Sequence, residues 1–148
     1  MRIAIGCDEV GLPLLEVIRS QLAELGVTVE DFGVHTDEPV LYPDVALAVS
    51  KAVASGDCSR GILVCGTGLG MCITANKVPG VWAATCHDTY SAERARKSND
   101  AQILTMGSRV VGPEVAKQVV AAWLRSEFVG GGSAPKVARM KEIEESFR

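Results

Sequence analysis

The thiol of Cys65 stands in the sequence context best suited to chemistry. It follows the apolar run 62–64, and the glycine-rich stretch Gly66–Gly70 comes directly after it. This order predicts a strand, a tight turn and a helix, with Cys65 at the end of the strand. Glycines let such a turn direct several backbone N–H groups at one point, so the turn can bind an anion such as an enediolate oxygen. The same surroundings favour the thiolate, the form in which a cysteine acts as a base or a nucleophile.

Other interpretations of these glycines fit less well. A dinucleotide-binding fingerprint, G-x-G-x-x-G, belongs after the first strand, whereas this loop is G-x-G-x-G after the third. The first loop, Gly6–Gly11, has the glycine spacing of a P-loop, but Leu12 and Pro13 stand where lysine and serine or threonine are required. A cysteine phosphatase needs an arginine six residues after its nucleophile, and that position is Met71. A lone cysteine is often only a small buried residue, but the loop beside Cys65 favours the catalytic interpretation.

Short apolar runs, each bounded by glycine, asparagine or charged residues, predict five strands. They span Arg2–Gly6, Val27–Phe32, Gly61–Cys65, Val81–Cys86 and Ala101–Met106. Apolar residues at helical spacing predict helices from Pro13 to Leu25, from Tyr42 to Ser55 and from Gly112 to Phe128. Strands that alternate with helices are typical of a parallel sheet covered on both faces. We therefore predict one α/β domain over residues 1–148, a Rossmann-like three-layer αβα fold with a five-stranded parallel sheet.

The predicted sheet also indicates where a ligand binds. Ligands of such sheets lie beyond the carboxyl ends of the strands, where the strand order reverses. We expect the loops at that edge to be Gly6–Gly11, Cys65–Gly70 and His87–Asn99. A linker at Val129–Pro135 precedes a terminal helix within residues 133–148, and we expect this helix to pack on a partner subunit. Its predicted apolar face consists of Val137, Met140, Ile143 and Phe147.

Composition and charge exclude several classes of function. The formal net charge is -3 and lysine and arginine form no cluster, so neither a nucleic acid nor a membrane surface is an expected partner. The first apolar run is broken by Gly6 and Asp8, which is unlike a secretory signal or a membrane span. The five cysteines contain no C-x-x-C pair, which argues against a disulfide framework and a zinc site and favours a reducing cytoplasm. With only two histidines, we expect no metal.

A series of short motifs extends over nearly the whole chain. They are Gly6-Cys7-Asp8, Tyr42-Pro43, the run Gly61–Gly70, Ala75-Asn76-Lys77, Tyr90-Ser91-Ala92, Asn99-Asp100 and the run Gly107–Gly112. In this order and spacing they resemble the family of ribose-5-phosphate isomerase B and the galactose-6-phosphate isomerase subunits. The resemblance implies an aldose-ketose isomerase of small sugar phosphates that acts without a cofactor, by proton transfer through an enediolate. It also implies a homodimer or homotetramer whose active sites are shared between subunits.

The resemblance assigns roles to individual residues. Cys65 would move the proton between C1 and C2, and Thr67 with the N–H groups from Gly66 to Gly70 would stabilise the enediolate oxygens. Asp8 and Tyr42 would hold hydroxyl groups, and Arg109 would reach the phosphate from the neighbouring subunit. The further positions at which the resemblance predicts substrate contacts are Glu9, Gly68, Asn76, Ser98, Asn99 and Lys136. Among these, Asn99 would also come from the neighbouring subunit.

Three departures from the family pattern bear on the substrate. Ser98 stands where ribose 5-phosphate isomerases of the family usually carry the histidine that opens the furanose ring, and a serine cannot replace a titrating imidazole. Glu9 replaces a frequent histidine, and Gly132 and Lys136 align with an arginine pair, which alters phosphate binding. A tetrose phosphorylated on O4 cannot close a furanose ring, so a four-carbon substrate, the D-erythrulose 4-phosphate/D-erythrose 4-phosphate pair, fits Ser98. The segment His87–Ala95 is likewise similar to a branch linked to tetrulose 4-phosphate isomerisation.

The sequence is also compatible with other substrates and with a second class of function. His87 could open the ring from another position, which would leave ribose 5-phosphate and ribulose 5-phosphate as the substrate pair. The altered phosphate positions would also permit an isomerase of unphosphorylated or six-carbon sugars. A protein that binds a sugar phosphate without catalysis is the alternative from another functional class. The intact pairing of Cys65 with an anion-binding loop favours the isomerase.

Overall fold

The computed structural model describes residues 1–148 and contains the predicted five-stranded parallel sheet. Its strands are β1 (Arg2–Cys7), β2 (Thr28–Asp31), β3 (Arg60–Cys65), β4 (Ala83–Thr85) and β5 (Ile103–Gly107), in the spatial order β2-β1-β3-β5-β4. Its helices are α1 (Leu12–Glu24), α2 (Tyr42–Ala54), α3 (Leu69–Ala75), α4 (Thr89–Lys97), α5 (Pro113–Leu124) and α6 (Ala134–Glu145). The predicted α/β fold class is thus confirmed.

Two apolar cores hold the three layers together. Helices α1, α4 and α5 cover one face of the sheet, where Trp123 is the largest fully buried side chain. Helices α2 and α3 cover the other face through residues such as Val49 and Met71. Every residue of the central strand β3 is buried, as expected for a parallel strand with a helical layer on each side.

The predicted strands are longer than the observed ones at the sheet edges. Strand β2 was expected over Val27–Phe32 and β4 over Val81–Cys86, but each pairs with one neighbour only. The regular register between β4 and β5 covers three positions, Ala83 to Thr85. Hydrogen bonds to the neighbouring strand nevertheless continue past these bounds, from the Phe32 N–H to the Ile5 carbonyl at 2.9 Å and from the Cys86 N–H to the Thr105 carbonyl at 3.0 Å.

The segment His87–Asn99, predicted to be a loop, is mostly helix α4. Its first turn is capped by Asp88, whose Oδ1 accepts a hydrogen bond from the Ser91 N–H at 2.6 Å. Ala92 and Ala95 are buried against the α1–α5 side of the sheet, which explains why the segment is held as a helix. Helix α4 therefore leads from the carboxyl edge of the sheet, at His87, back to the opposite edge.

The terminal helix α6 follows a short 3₁₀ turn at Gly131–Ser133, so part of the predicted linker is helical. Val137 is 3% exposed, and the Gly80 N–H donates to the carboxylate of Glu144 at 3.3 Å, which fixes the helix on its own chain. Met140 and Phe147 of the predicted apolar face remain exposed. Packing of that face on a partner subunit stays a prediction. No helix has the length and the apolar content needed to cross a membrane.

Candidate active site

The strand order reverses between β1 and β3. From β1 the chain continues to β2 on one side, and from β3 it continues to β4 and β5 on the other. The two strands end together, since the Asp8 N–H donates to the Val64 carbonyl at 3.3 Å. Their carboxyl ends therefore form the crevice in which open α/β sheets bind ligands. Cys65 and Asp8 both lie at this crevice.

Cys65 differs from the other thiols in its hydrogen bonding. It is the last residue of β3, is 5% exposed, and its Sγ accepts a hydrogen bond from the Gly68 N–H at 3.1 Å. The thiol of Cys7 instead donates to a backbone carbonyl, and burial raises its pKa to about 11. Burial likewise raises the pKa of Cys86 to about 12. Cys65 is thus the only cysteine whose sulfur accepts a hydrogen bond from the backbone.

The glycine loop is shaped by its contact with the end of β5. Gly68 has a φ of +80°, and a Cβ at this position would lie 2.8 Å from the Cα of Met106. A Cβ on Gly107 would lie 2.6 Å from the Cα of Thr67. Only glycine fits both positions, because the backbones of the loop and of β5 touch directly.

The loop presents a set of free backbone donors. The Gly68 N–H is used by the thiol, and the Leu69 N–H donates to the Thr67 hydroxyl at 3.2 Å. The N–H groups of Gly66, Thr67 and Gly70 make no hydrogen bond within the chain. Of the predicted N–H donors from Gly66 to Gly70, these three are therefore free to bind an anion.

Two acidic residues follow β1. Asp8 is 7% exposed, and its Oδ1 accepts a hydrogen bond from the Gly11 N–H at 2.8 Å, which fixes the turn into α1. The Oε2 of Glu9 accepts from the Val40 N–H at 3.2 Å and so connects this loop to the segment before α2. Both carboxylates thus border the crevice while they stabilise the loops that form it.

Tyr42 and Arg109 flank the glycine loop on its two sides. The Tyr42 phenol lies directly against Gly70, where any Cβ would overlap with it. The Arg109 N–H donates to the Gly66 carbonyl at 3.0 Å, and its Nη1 lies 3.6 Å from the place of a Cβ on Gly66. Arg109 was expected to reach the site from a second subunit, but its guanidinium lies beside the loop of its own chain.

His87 lies at the carboxyl edge of the sheet, and its hydrogen bonding indicates which ring nitrogen carries the proton. Its Nε2 accepts a hydrogen bond from the Gly107 N–H at 2.9 Å, and Gly107 is the partner of Cys65 in the sheet register. Burial lowers the pKa of His87, against the opposing effect of Asp88. The ring is therefore neutral with its proton on Nδ1. Acting as an acid would require the imidazolium, which cannot accept the Gly107 N–H, so this geometry argues against ring opening by His87.

Asn76 is not near Cys65 in the same chain. It follows α3, whose seven residues span about 10 Å, at the end away from the glycine loop. Its Nδ2 donates to the Ala83 carbonyl and its Oδ1 accepts from the Ala83 N–H, both at 2.9 Å. The amide thus stabilises the edge strand β4.

Ser98, Asn99 and Lys136 also lie away from the crevice. Ser98 and Asn99 follow α4 and therefore lie at the amino end of β5. Asn99 lines a shallow cavity with Asn76 and with Met140 of α6, and Lys136 is exposed one helical turn before Met140. In one chain these residues cannot meet a ligand bound at Cys65.

Some polar residues at the crevice were not predicted from the sequence. The hydroxyl groups of Thr85 and Thr105 are 2.7 Å apart, and Thr85 Oγ1 lies 3.4 Å from the Gly68 carbonyl. The Ser108 hydroxyl donates to the Val10 carbonyl at 2.9 Å. The available signal was a polar residue, Thr105, inside an otherwise apolar strand. No group of three or more histidine, cysteine or acidic side chains is arranged as metal ligands.

Comparison with known proteins yields consistent matches. A profile described as ribose/galactose isomerase matches residues 3–140. The chain is 54% identical to the D-erythrulose-4-phosphate isomerase of Pectobacterium atrosepticum, over 97% of its own length and 95% of that protein. It is 52% identical to the ribose-5-P isomerase B of Listeria innocua over 100% of both. The solved structure of Clostridium thermocellum ribose-5-phosphate isomerase B superposes with a TM-score of 0.97, at 49% identity and over 100% of both chains.

Proposed function

Because the chain belongs to the ribose/galactose isomerase family, we propose that it interconverts an aldose phosphate and its ketose by proton transfer through an enediolate. The observation that carries the proposal is the Cys65 thiol beside three free N–H groups in one glycine loop. A base next to an oxyanion-binding loop is the arrangement that this reaction requires.

The proposed reaction is a redox-neutral transfer of protons. The Cys65 thiolate removes the proton from the carbon next to the carbonyl, and the electrons of that C–H bond move into the carbonyl to form the enediolate. The thiol then returns the proton to the former carbonyl carbon, while the second proton passes from one oxygen to the other. No external oxidant, reductant or hydride carrier is consumed.

The residues around the thiol fit the other parts of the substrate. The N–H groups of Gly66, Thr67 and Gly70 would stabilise the developing oxyanion. Asp8 would accept hydrogen bonds from hydroxyl groups of the substrate, and the Tyr42 phenol would accept or donate one. Arg109, as a cation at the other side of the loop, would bind the phosphate.

We infer further that the preferred substrate is an open-chain tetrose phosphate, D-erythrulose 4-phosphate or D-erythrose 4-phosphate. Ser98 replaces the expected ring-opening histidine, and the neutral His87 is engaged by Gly107. Neither residue supplies the acid-base group that opening of a furanose requires. Ribose 5-phosphate is a poorer substrate on this argument, because most of it is cyclic in solution.

The complete site would take residues from two copies of the chain. Asn99 and Ser98 lie at the opposite sheet edge from Cys65, so they can complete a site only in a neighbouring subunit. The exposed apolar residues of α6 offer surface for such an assembly. We therefore propose a homodimer or homotetramer. The five free cysteines favour a reducing compartment, the cytoplasm.

The test is a substrate comparison with purified protein. Turnover of D-erythrulose 4-phosphate, D-ribose 5-phosphate, galactose 6-phosphate and unphosphorylated erythrose is measured, together with deuterium uptake from solvent into the product. The proposal requires isomerisation with exchange at the transferred carbon and the highest kcat/KM for the tetrulose phosphate. Isomerisation of only free or six-carbon sugars would refute the substrate assignment. Binding of sugar phosphates without turnover or exchange would identify a non-catalytic sugar-phosphate-binding protein.

A further inference from the structure

The edge strand β4 ends beside the glycine loop and contacts it through Thr85. Thr105 on β5 is fully buried, and its hydroxyl has one partner, the Thr85 hydroxyl at 2.7 Å. Either hydroxyl can be the donor of this contact, but the Gly68 carbonyl can only accept, so both contacts of Thr85 are satisfied together when Thr105 donates to Thr85. Thr85 is then left to donate its own hydrogen to the Gly68 carbonyl at 3.4 Å. The pair thus links the sheet to the loop residue whose N–H contacts Cys65.

His87 makes a second contact of the same kind. Its Nε2 accepts the Gly107 N–H at 2.9 Å. The two residues after Gly107 donate their backbone N–H groups to the carbonyls of Cys65 and Gly66, at 2.9 and 3.0 Å. Gly107 itself touches the backbone of Thr67. The His87 ring therefore fixes the segment on which the glycine loop rests.

We propose that Thr85 and His87, here called the β4 clamp, are positioning residues for the glycine loop. They hold the Gly68 N–H on the Cys65 sulfur and keep the free N–H groups of the loop aimed at the developing oxyanion. His87 acts in this role as a hydrogen-bond acceptor and not as an acid. The inference rests on the proposed isomerase function and adds two residues that act through the loop.

The Thr85 contact is tested with a pair of variants that differ in the hydroxyl. Thr85→Val keeps the shape but removes the donor to Gly68, and it should lower kcat about tenfold with KM changed less than about twofold, because oxyanion donors act in the transition state. Thr85→Ser keeps the hydroxyl and should recover most of kcat. The control is Thr28→Val, which removes an exposed threonine hydroxyl from the other edge strand, β2.

The His87 contact is tested by separating its acceptor role from its acid-base chemistry. His87→Leu removes the acceptor and should lower kcat about tenfold on both four- and five-carbon substrates. His87→Gln offers a side-chain oxygen near the position of Nε2 and should recover much of that loss on both. His35→Leu, at the second and largely exposed histidine, is the control.

Hydrogen exchange of the backbone amides at residues 65–71 provides a readout that needs no substrate. Faster exchange in Thr85→Val and His87→Leu, reversed in Thr85→Ser and His87→Gln, supports the clamp. Native exchange together with native kcat in both truncated variants would overturn it. Equal loss in His87→Leu and His87→Gln on ribose 5-phosphate alone would also overturn it, in favour of ring opening by His87. If the native protein isomerises no sugar phosphate, the proposed function fails, while the exchange data still test the clamp.

Discussion

The two edges of the sheet carry different kinds of polar residues. At the carboxyl edge, backbone N–H groups of Gly66, Thr67 and Gly70 have no partner inside the chain. At the opposite edge, the buried guanidinium of Arg60 is held inside the chain and donates to the carbonyls of Trp123 and Ser126, each at 2.8 Å. Free donors mark a surface that binds something, whereas satisfied ones mark a surface that holds the fold. Asn99 also lies at this opposite edge, but it is exposed.

The largest expected effect is a loss of turnover when Cys65 is replaced, compared with replacement of Cys72 on the other side of the loop. Cys65→Ala should reduce kcat by a factor of ~10³ or more, because it removes the general base while the backbone donors of the loop remain. Cys72→Ala should change kcat little, since the Cys72 thiol points to the Ala83 carbonyl, 3.4 Å away. Circular dichroism should show native folding for both. Comparable turnover in the two variants would remove Cys65 as the base.

The second prediction tests whether Asn99 belongs to the site of a neighbouring subunit. Cys65→Ala and Asn99→Ala should each be inactive or nearly so. When the two are unfolded and refolded together, about a quarter of wild-type activity should return, since half of the dimers are mixed and each holds one intact site. A mixture that stays as inactive as its components would place the two residues in one chain or exclude Asn99 from the chemistry.

The sequence was sufficient for the fold and for the carboxyl-edge residues. The apolar runs locate the ends of the central strands β1 and β3 to within one residue. Because the carboxyl ends of parallel strands meet at one edge, Asp8 and Cys65 can be placed together from the sequence. The position of Asn99 at the opposite edge does not follow from the predicted loop after His87, because residues 89–97 of that segment form a helix. The signal for a helix there was Asp88 as a cap, followed by alanines at helical spacing. The partners of Thr85 and His87 depend on contacts between strands distant in sequence, which no local pattern reports.

The third prediction concerns Ser98, at the opposite edge from Cys65, and the opening of a cyclic substrate. Ser98→His should raise kcat/KM for ribose 5-phosphate by up to ~10²-fold and leave that for D-erythrulose 4-phosphate nearly unchanged, because only the cyclic sugar needs acid-base help to open. Ser59→His, an exposed serine at the amino end of β3, is the matched control. An equal gain on both substrates, or none, would disprove the ring-opening argument.

A fourth prediction compares two arginines at the same edge. Arg60 is 3% exposed and closes the end of α5, with its guanidinium 5.1 Å from the Trp123 ring. Arg60→Met should lower the free energy of unfolding by about 3 kcal/mol, because it leaves buried carbonyls unpaired. Arg2→Met breaks only the exposed pair with Glu30 and should cost less than ~1 kcal/mol. Urea denaturation measures both, and equal losses would contradict the assignment of Arg60 to the scaffold.

The smallest expected effect is a dependence of stability on pH that originates at the carboxyl edge. Burial lowers the pKa of His87 below its ordinary value of 6.5, so the folded state binds the proton more weakly than the unfolded state. The stability that the neutral ring contributes is therefore present above pH 6.5 and is lost as the pH falls from 6.5 toward the lowered pKa. Asp88, whose pKa is lowered chiefly by its hydrogen bonds with Ser91, loses its contribution only below 3.8. His87→Gln should therefore flatten the decrease in unfolding free energy that begins as the pH falls below 6.5, and it should leave the loss below pH 3.8 unchanged. Urea denaturation at a series of pH values measures this difference. If the unfolding free energy of the wild-type protein and of His87→Gln changed equally with pH, the hydrogen bond from the Gly107 N–H would not depend on a neutral His87.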